Sequence, residues 1–194
     1  MISEVDKLLI DHFFNNCSKE YIESIDQGLF SEVNNAIQNL PKRNLQAEIN
    51  GDLFWSLTQN KWAYDSMPQG LLKDKSNERI DMVRPQTGNM RYLCSTSTTL
   101  DAAWHSDFAR SYPSGLVQLE VQFGKVESMF KDFCGFRIAY FERRLALGIE
   151  IVMSEPSKYF SHRKAAVSGM AYFDRTLPAI GLDCPICLIG LKEY

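Results

Sequence analysis

Two acids and an amide stand close together in the second half of the chain. Glu120 and Gln122 lie in the stretch GLVQLEVQFGK, residues Gly115 to Lys125, and Asp107 lies just upstream in HSDFARSYPSG. At the two-residue period of a strand, Val117, Leu119, Val121 and Phe123 face one way, and Gln118, Glu120 and Gln122 face the other. Two convergent carboxylates beside a strand make a hard-oxygen site suited to Mg²⁺, which takes one or two acids together with waters and substrate phosphate. Such an ion polarises a phosphodiester, lowers the pKa of a bound water and holds nucleophile and leaving group in line. The pattern is an aspartate followed, after twelve residues, by E-x-Q. It equally suits a solvated strand face with an acid nearby, and on that reading Gln118 is filler.

The elements around these residues sharpen the choice. LVQLEVQF reads as a strand, SMFKDFCGFRIAYFERRLA as a helix of about five turns, and LGIEIVM as a second strand. Joints this short make a βαβ unit with parallel strands and a right-handed crossover. Central strands of a parallel sheet are covered on both faces and should be almost wholly apolar, so Glu120 breaks the rule. Pro113, Ser114 and Gly115 form a turn signal. If Asp107 ends a preceding strand or turn, that hairpin brings its carboxylate toward Glu120. Upstream, residues 3–15 and 18–39 both carry helical stripes, with Ser18 as a cap and Pro41 as a stop. The Asn-Gly in EINGDLFWSL suggests a hairpin, and DKSNERIDMVRPQTGNMRYL has the composition of surface loops. Downstream, HRKAAVSGMAYFDRTL reads as a loop and a further helix or turn, and PICLIGL as a closing strand.

A length of 194 residues fits one domain, with a helical part over 1–41 and an α/β core over about 100–192. The expected fold is α/β, a mixed central sheet flanked by helices. A net charge of −3 and a pI near 5.7 lack the signature of a strongly basic nucleic-acid binder, without opposing a locally basic cleft. Five cysteines form no framework, and Cys184-Pro-Ile-Cys187 has no second pair, so a buried strand with reduced thiols is expected. The start of the chain lacks a basic region and no apolar run reaches about 20 residues, so a cytoplasmic, soluble protein is expected. His105 has no nucleophile signature around it, and the aromatics of the crossover helix are expected in the core.

Taken in order, DF…EVQFGK, the aromatic helix, LGIEIVM, VSGMAYF and PICLIGL resemble the BglII/BstYI group of type II restriction endonucleases over roughly residues 104–192. The resemblance implies a restriction-endonuclease-like (PD-(D/E)XK) core in which glutamine replaces the usual motif lysine. It implies Asp107 and Glu120 as Mg²⁺ ligands, with the Val121 carbonyl completing the shell and Gln122 in the lysine position. An amide exchanges no proton near pH 7, so Gln122 would orient the attacking water and not act as its base. The Asp–Glu spacing is somewhat longer than the group's, which leaves Asp101 as the alternative first acid. Lys125 would face the bases, Ser168 would sit on a base-contacting loop where Gly169 permits close approach, and Arg163 and Lys164 would hold phosphates.

The function implied is Mg²⁺-dependent, site-specific cleavage of double-stranded DNA by a homodimer, paired with a cognate DNA methyltransferase. A palindrome, GATC-centred as in the group, is the corresponding site. The alternatives are a repair or mobile-element nuclease of the same fold without strict specificity, and a DNA-binding module without catalysis.

Overall fold

The computed structural model describes residues 8–41, 43, 46–68, 88–99, 104–124, 126–155 and 170–192. Six strands form one mixed sheet: β1 (Ile10–Asn15), β2 (Ala63–Tyr64), β3 (Phe108–Tyr112), β4 (Gly115–Val121), β5 (Leu145–Met153) and β6 (Ile186–Leu191). Their order is β1-β6-β5-β4-β3-β2, with β4/β5 and β5/β6 parallel and the other pairs antiparallel. Among the described residues five helices flank it: α1 (Lys19–Ile25), α2 (Leu29–Gln38), α3 (Gln46–Gln59), α4 (Val126–Phe141) and α5 (Met170–Ala179). A 3₁₀ segment spans Gly88–Cys94. The mixed α/β sheet read from the sequence is therefore the fold found, and β4-α4-β5 is its parallel unit.

The sheet separates two apolar layers. On one face, Leu29, Val33 and Ile37 of α2 and Ile49, Leu53, Phe54 and Leu57 of α3 pack on Val117, Leu119, Leu147, Ile149 and Ile151. On the other, Met129, Phe133 and Phe136 of α4 and Phe173 and Leu177 of α5 pack on Val152, Ile186 and Leu188. Covered on both sides, β5 is buried at all nine positions. Gly148 of β5 lets α4 approach: a Cβ there would lie 2.7 Å from the Phe136 ring. Gly148→Ala should therefore destabilise the fold by about 1–3 kcal/mol through overpacking, read as a lower urea midpoint with unchanged slope.

Four sequence expectations are corrected. The described part of 3–15 is not helix but strand β1, where Ile10 and Phe14 pack into one layer and Phe13 into the other. Pairing with β6 completes the sheet and overrides a weak helical stripe. The segment 18–39 is two helices: Ser18 does cap α1, but Asp26 is extended and Gly28 adopts φ 91°, so the chain breaks before α2. The Asn50-Gly51 pair lies inside α3 rather than in a hairpin, because Ile49, Leu53, Phe54 and Leu57 together bury a helical face. The crossover helix also ends earlier than expected. Arg143 (φ 59°) takes the left-handed position, with Arg143 N–H bonded to Tyr140 O and Arg144 N–H to Ala139 O, so both arginines belong to the turn.

Cys184 and Cys187 are buried free thiols, as expected. Among the described residues no helix is long and apolar enough to cross a membrane.

Candidate active site

The β3–β4 hairpin brings the two acids together. Phe108 pairs with Leu119 and Tyr112 with Gly115, so Asp107, one residue before β3, falls opposite Glu120 when that register is continued. The twelve-residue interval is what two strands and a two-residue turn require. Asp107 N–H donates to Glu120 Oε2 (3.2 Å), and Asp107 Oδ2 accepts from Val121 N–H (2.9 Å). Glu32 of α2 braces this hairpin: its carboxylate accepts from Arg110 of β3 (2.9 Å to each oxygen) and from Trp62 Nε1 (3.0 Å). Beside Asp107 and Val121 opens a cavity of about 220 Å³, lined also by Asn50, Ser66, Met67, Pro68 and Phe108.

The polar face of β4 is buried at Gln118 and half-buried at Glu120 and Gln122. Gln118 is completely buried, and its amide nitrogen donates to Leu93 O (3.2 Å) and Ser95 O (3.1 Å) at the 3₁₀ segment. It is a structural tie, not filler. Gln122 lies just past β4 and is held at both ends of its amide: Nε2 donates to Asp132 Oδ2 (2.9 Å) on α4, and Oε1 accepts from Gly124 N–H (2.9 Å).

Two further acids stand with Glu120. Glu150 of β5 is its register partner, fully buried, with no hydrogen bond to either carboxylate oxygen. Asp132 is buried on α4. Burial, and then repulsion from Asp107 and Asp132, holds the Glu120 carboxyl well above the usual range. Glu150 is likewise pushed well up, by burial first and then by Asp132, Glu120 and Asp107. Burial also lifts Asp132 to about 6 against the hydrogen bond from Gln122. Asp107 keeps some solvent-exposed surface, yet the packed protein around it and the nearby Asp65 raise its carboxyl too.

His105 belongs to a neighbouring cluster. Its Nδ1 lies 2.6 Å from Asp65 Oδ1, which also accepts from Arg91 Nε (2.8 Å), and Asp65 N–H donates to Asp107 O (3.0 Å). Burial would raise Asp65, but the hydrogen bonds from His105 and Arg91 outweigh it and hold the carboxyl low.

Asp107, Glu120, Val121 and Gln122 thus converge. Lys125, Arg163, Lys164, Ser168, Gly169 and the alternative acid Asp101 lie outside the described residues. Sequence reasoning missed Glu150 and Asp132. Glu150 carried the same signal as Glu120, a lone acid in the apolar parallel strand LGIEIVM, whereas Asp132 looked like an ordinary helix-surface acid. Among the described residues, no group of three or more histidine, cysteine, aspartate or glutamate side chains is arranged to enclose a metal ion.

Comparison with known proteins bears on this arrangement. The family described as restriction endonuclease BglII/BglIII matches residues 11–191. No curated protein matches the chain. Among solved structures, the fold is similar to restriction endonuclease BglII complexed with a DNA 16-mer, with a TM-score of 0.60 at 15% identity, covering 96% of this chain and 77% of that one. With nearly the whole sheet inside the matched span, the chain belongs to the BglII/BglIII family of restriction endonucleases.

Proposed function

We propose that this chain is a type II restriction endonuclease that makes Mg²⁺-dependent double-strand cuts at a palindromic DNA site. The observation that carries the reading is the convergence of Asp107 and Glu120 across the β3–β4 register, with an amide two residues beyond Glu120. Duplex DNA as the substrate is supported by the similar structure, which holds a DNA 16-mer.

The residues fit a hard divalent cation. Asp107 and Glu120 meet across the hairpin, Asp132 and Glu150 repel them electrostatically, Lys131 eases that repulsion only in part, and both oxygens of Glu150 lack a hydrogen-bond partner. A buried negative charge of this kind needs a counter-charge or a proton. Asp107 and Glu120 would hold Mg²⁺, with the Val121 carbonyl as a third protein ligand and waters completing the shell. Bound there, the cation would stabilise the charge developing on the phosphate and lower the pKa of a water.

The chain's own groups do the rest. Gln122 is fixed at both ends of its amide and orients the attacking water without taking its proton. Lys125 and Ser168 read bases, with Gly169 allowing close approach, and Arg163 and Lys164 position phosphates. A homodimer places one site on each strand of a palindrome, GATC-centred by analogy with the family, and a cognate methyltransferase protects the host DNA.

Plasmid digestion with Mg²⁺ followed by run-off sequencing tests this reading. Discrete fragments with one shared sequence at their ends, absent when EDTA is added, are expected. A smear or nicked product supports a nuclease without site specificity. Absence of both cleavage and a DNA mobility shift would sink the assignment.

A further inference from the structure

Gln122 raises a chemical question that its two hydrogen bonds answer. A glutamine amide has a donor end and an acceptor end of nearly equal size, so it replaces a lysine only if the nitrogen faces the reacting groups. Gly124 N–H is only a donor, so the end it meets must be the oxygen. The Asp132 carboxylate is only an acceptor when ionised, so the end it meets must be the nitrogen. The two contacts admit a single orientation. The nitrogen end is thereby turned toward Asp132 on α4, and the oxygen end toward the backbone at Gly124. A mere helix-surface acid would not be buried on α4 at the foot of this strand.

We infer that Asp132 is a positioning residue of the nuclease, turning the Gln122 amide so that its N–H end, and not its carbonyl, serves the attacking water and the scissile phosphate. The inference rests on the nuclease reading above. Asp132 touches Gln122 and acts through it. Gly124 is the second half of the device: a Cβ there would lie 2.6 Å from Gln122 Oε1, the far end of a flexible side chain, so the amide and not the backbone would give way.

Steady-state cleavage of a duplex carrying the mapped site tests this, with Asp132→Ala, Asp132→Asn, Gln122→Ala, the Gln122→Ala/Asp132→Ala double variant and Gly124→Ala. Asp132→Ala should lower kcat about 10- to 100-fold, the usual cost of losing a partner that orients a site residue, with KM for DNA within about threefold. Asp132→Asn should stay within about threefold of the parent, because its Oδ1 still accepts from Gln122 Nε2. In the Gln122→Ala background, Asp132→Ala should cost less than about twofold more, since the two act as one unit. Gly124→Ala should lower kcat while its thermal midpoint stays within a few degrees of the parent's.

The inference fails if the parent cuts and Asp132→Ala cuts equally well, if Asp132→Asn is as impaired as Asp132→Ala, or if the losses at 122 and 132 multiply independently. A parent that cuts no DNA with Mg²⁺ overturns the nuclease reading and this inference together.

Discussion

Glu120→Gln should yield a protein that folds and still binds its DNA site but cleaves it on the order of 1,000-fold more slowly, the scale of losing a principal charge-stabilising element. The substitution keeps the shape of the side chain and removes the charge that a divalent ion requires. Its structural cost is small. Glu120 Oε2 accepts one hydrogen bond, from Asp107 N–H, and the Gln amide oxygen can accept it equally. Burial already works against the charge at this position, so the metal-free variant should be at least as stable as the parent. Two measurements separate ligand loss from general damage. In the parent, Mg²⁺ should raise the thermal midpoint by mass action, because it binds the folded chain. In Glu120→Gln that rise should shrink sharply while the DNA mobility shift in Ca²⁺ or EDTA persists. Asp107→Asn should follow the same pattern, and Asp101→Asn should not if Asp107 is the first acid. A Glu120→Gln protein that cuts as fast as the parent would remove the metal role from this strand.

The C-terminal half was the legible part of the sequence. β5 and β6 are buried along their whole lengths, and the short joints around β4, α4 and β5 leave few ways to connect them. The N-terminal half was less so, because its signals are local and its structure is decided at a distance. Ile10–Asn15 becomes a strand by pairing with β6, roughly 170 to 180 residues away in the chain. Asn50-Gly51 stays helical because four apolar neighbours pack against the sheet. The site divides in the same way. Asp107 and Glu120 meet through a hairpin whose register can be counted along the chain. Asp132 reaches Gln122 only through the packing of α4 on the sheet, and α4 has no clean apolar stripe from which to infer which residues face inward. Glu150 was visible as an anomaly, but only the β4–β5 register makes it the neighbour of Glu120.

That neighbour should set the pH dependence of the metal-free fold. Glu150 is fully buried with both oxygens unpartnered, and its folded pKa is well above its unfolded one. Between those two values the folded chain holds a proton that the unfolded chain has released, so stability falls as pH rises through the window. Asp132 adds the same sign between its ordinary value of 3.8 and about 6. Parent protein in EDTA should therefore lose stability from about pH 5 to pH 8, opposite to a chain whose carboxylates are salt-bridged. Glu150→Gln removes the largest part of that slope. The amide still lacks partners, which costs about 1–3 kcal/mol, less than an ionised carboxylate in the same place. At pH 8 the variant should be more stable than the parent by about 2 kcal/mol or more, read from urea midpoints across the pH series. At pH 5, where the parent's Glu150 is protonated, the two should nearly coincide. Mg²⁺ should narrow the gap at pH 8 by stabilising the parent's ionised cluster. A variant less stable than the parent at pH 8, or a parent curve that rises with pH, would mean that Glu150 is charge-compensated in the folded chain and that the acids at the end of β4 do not repel one another.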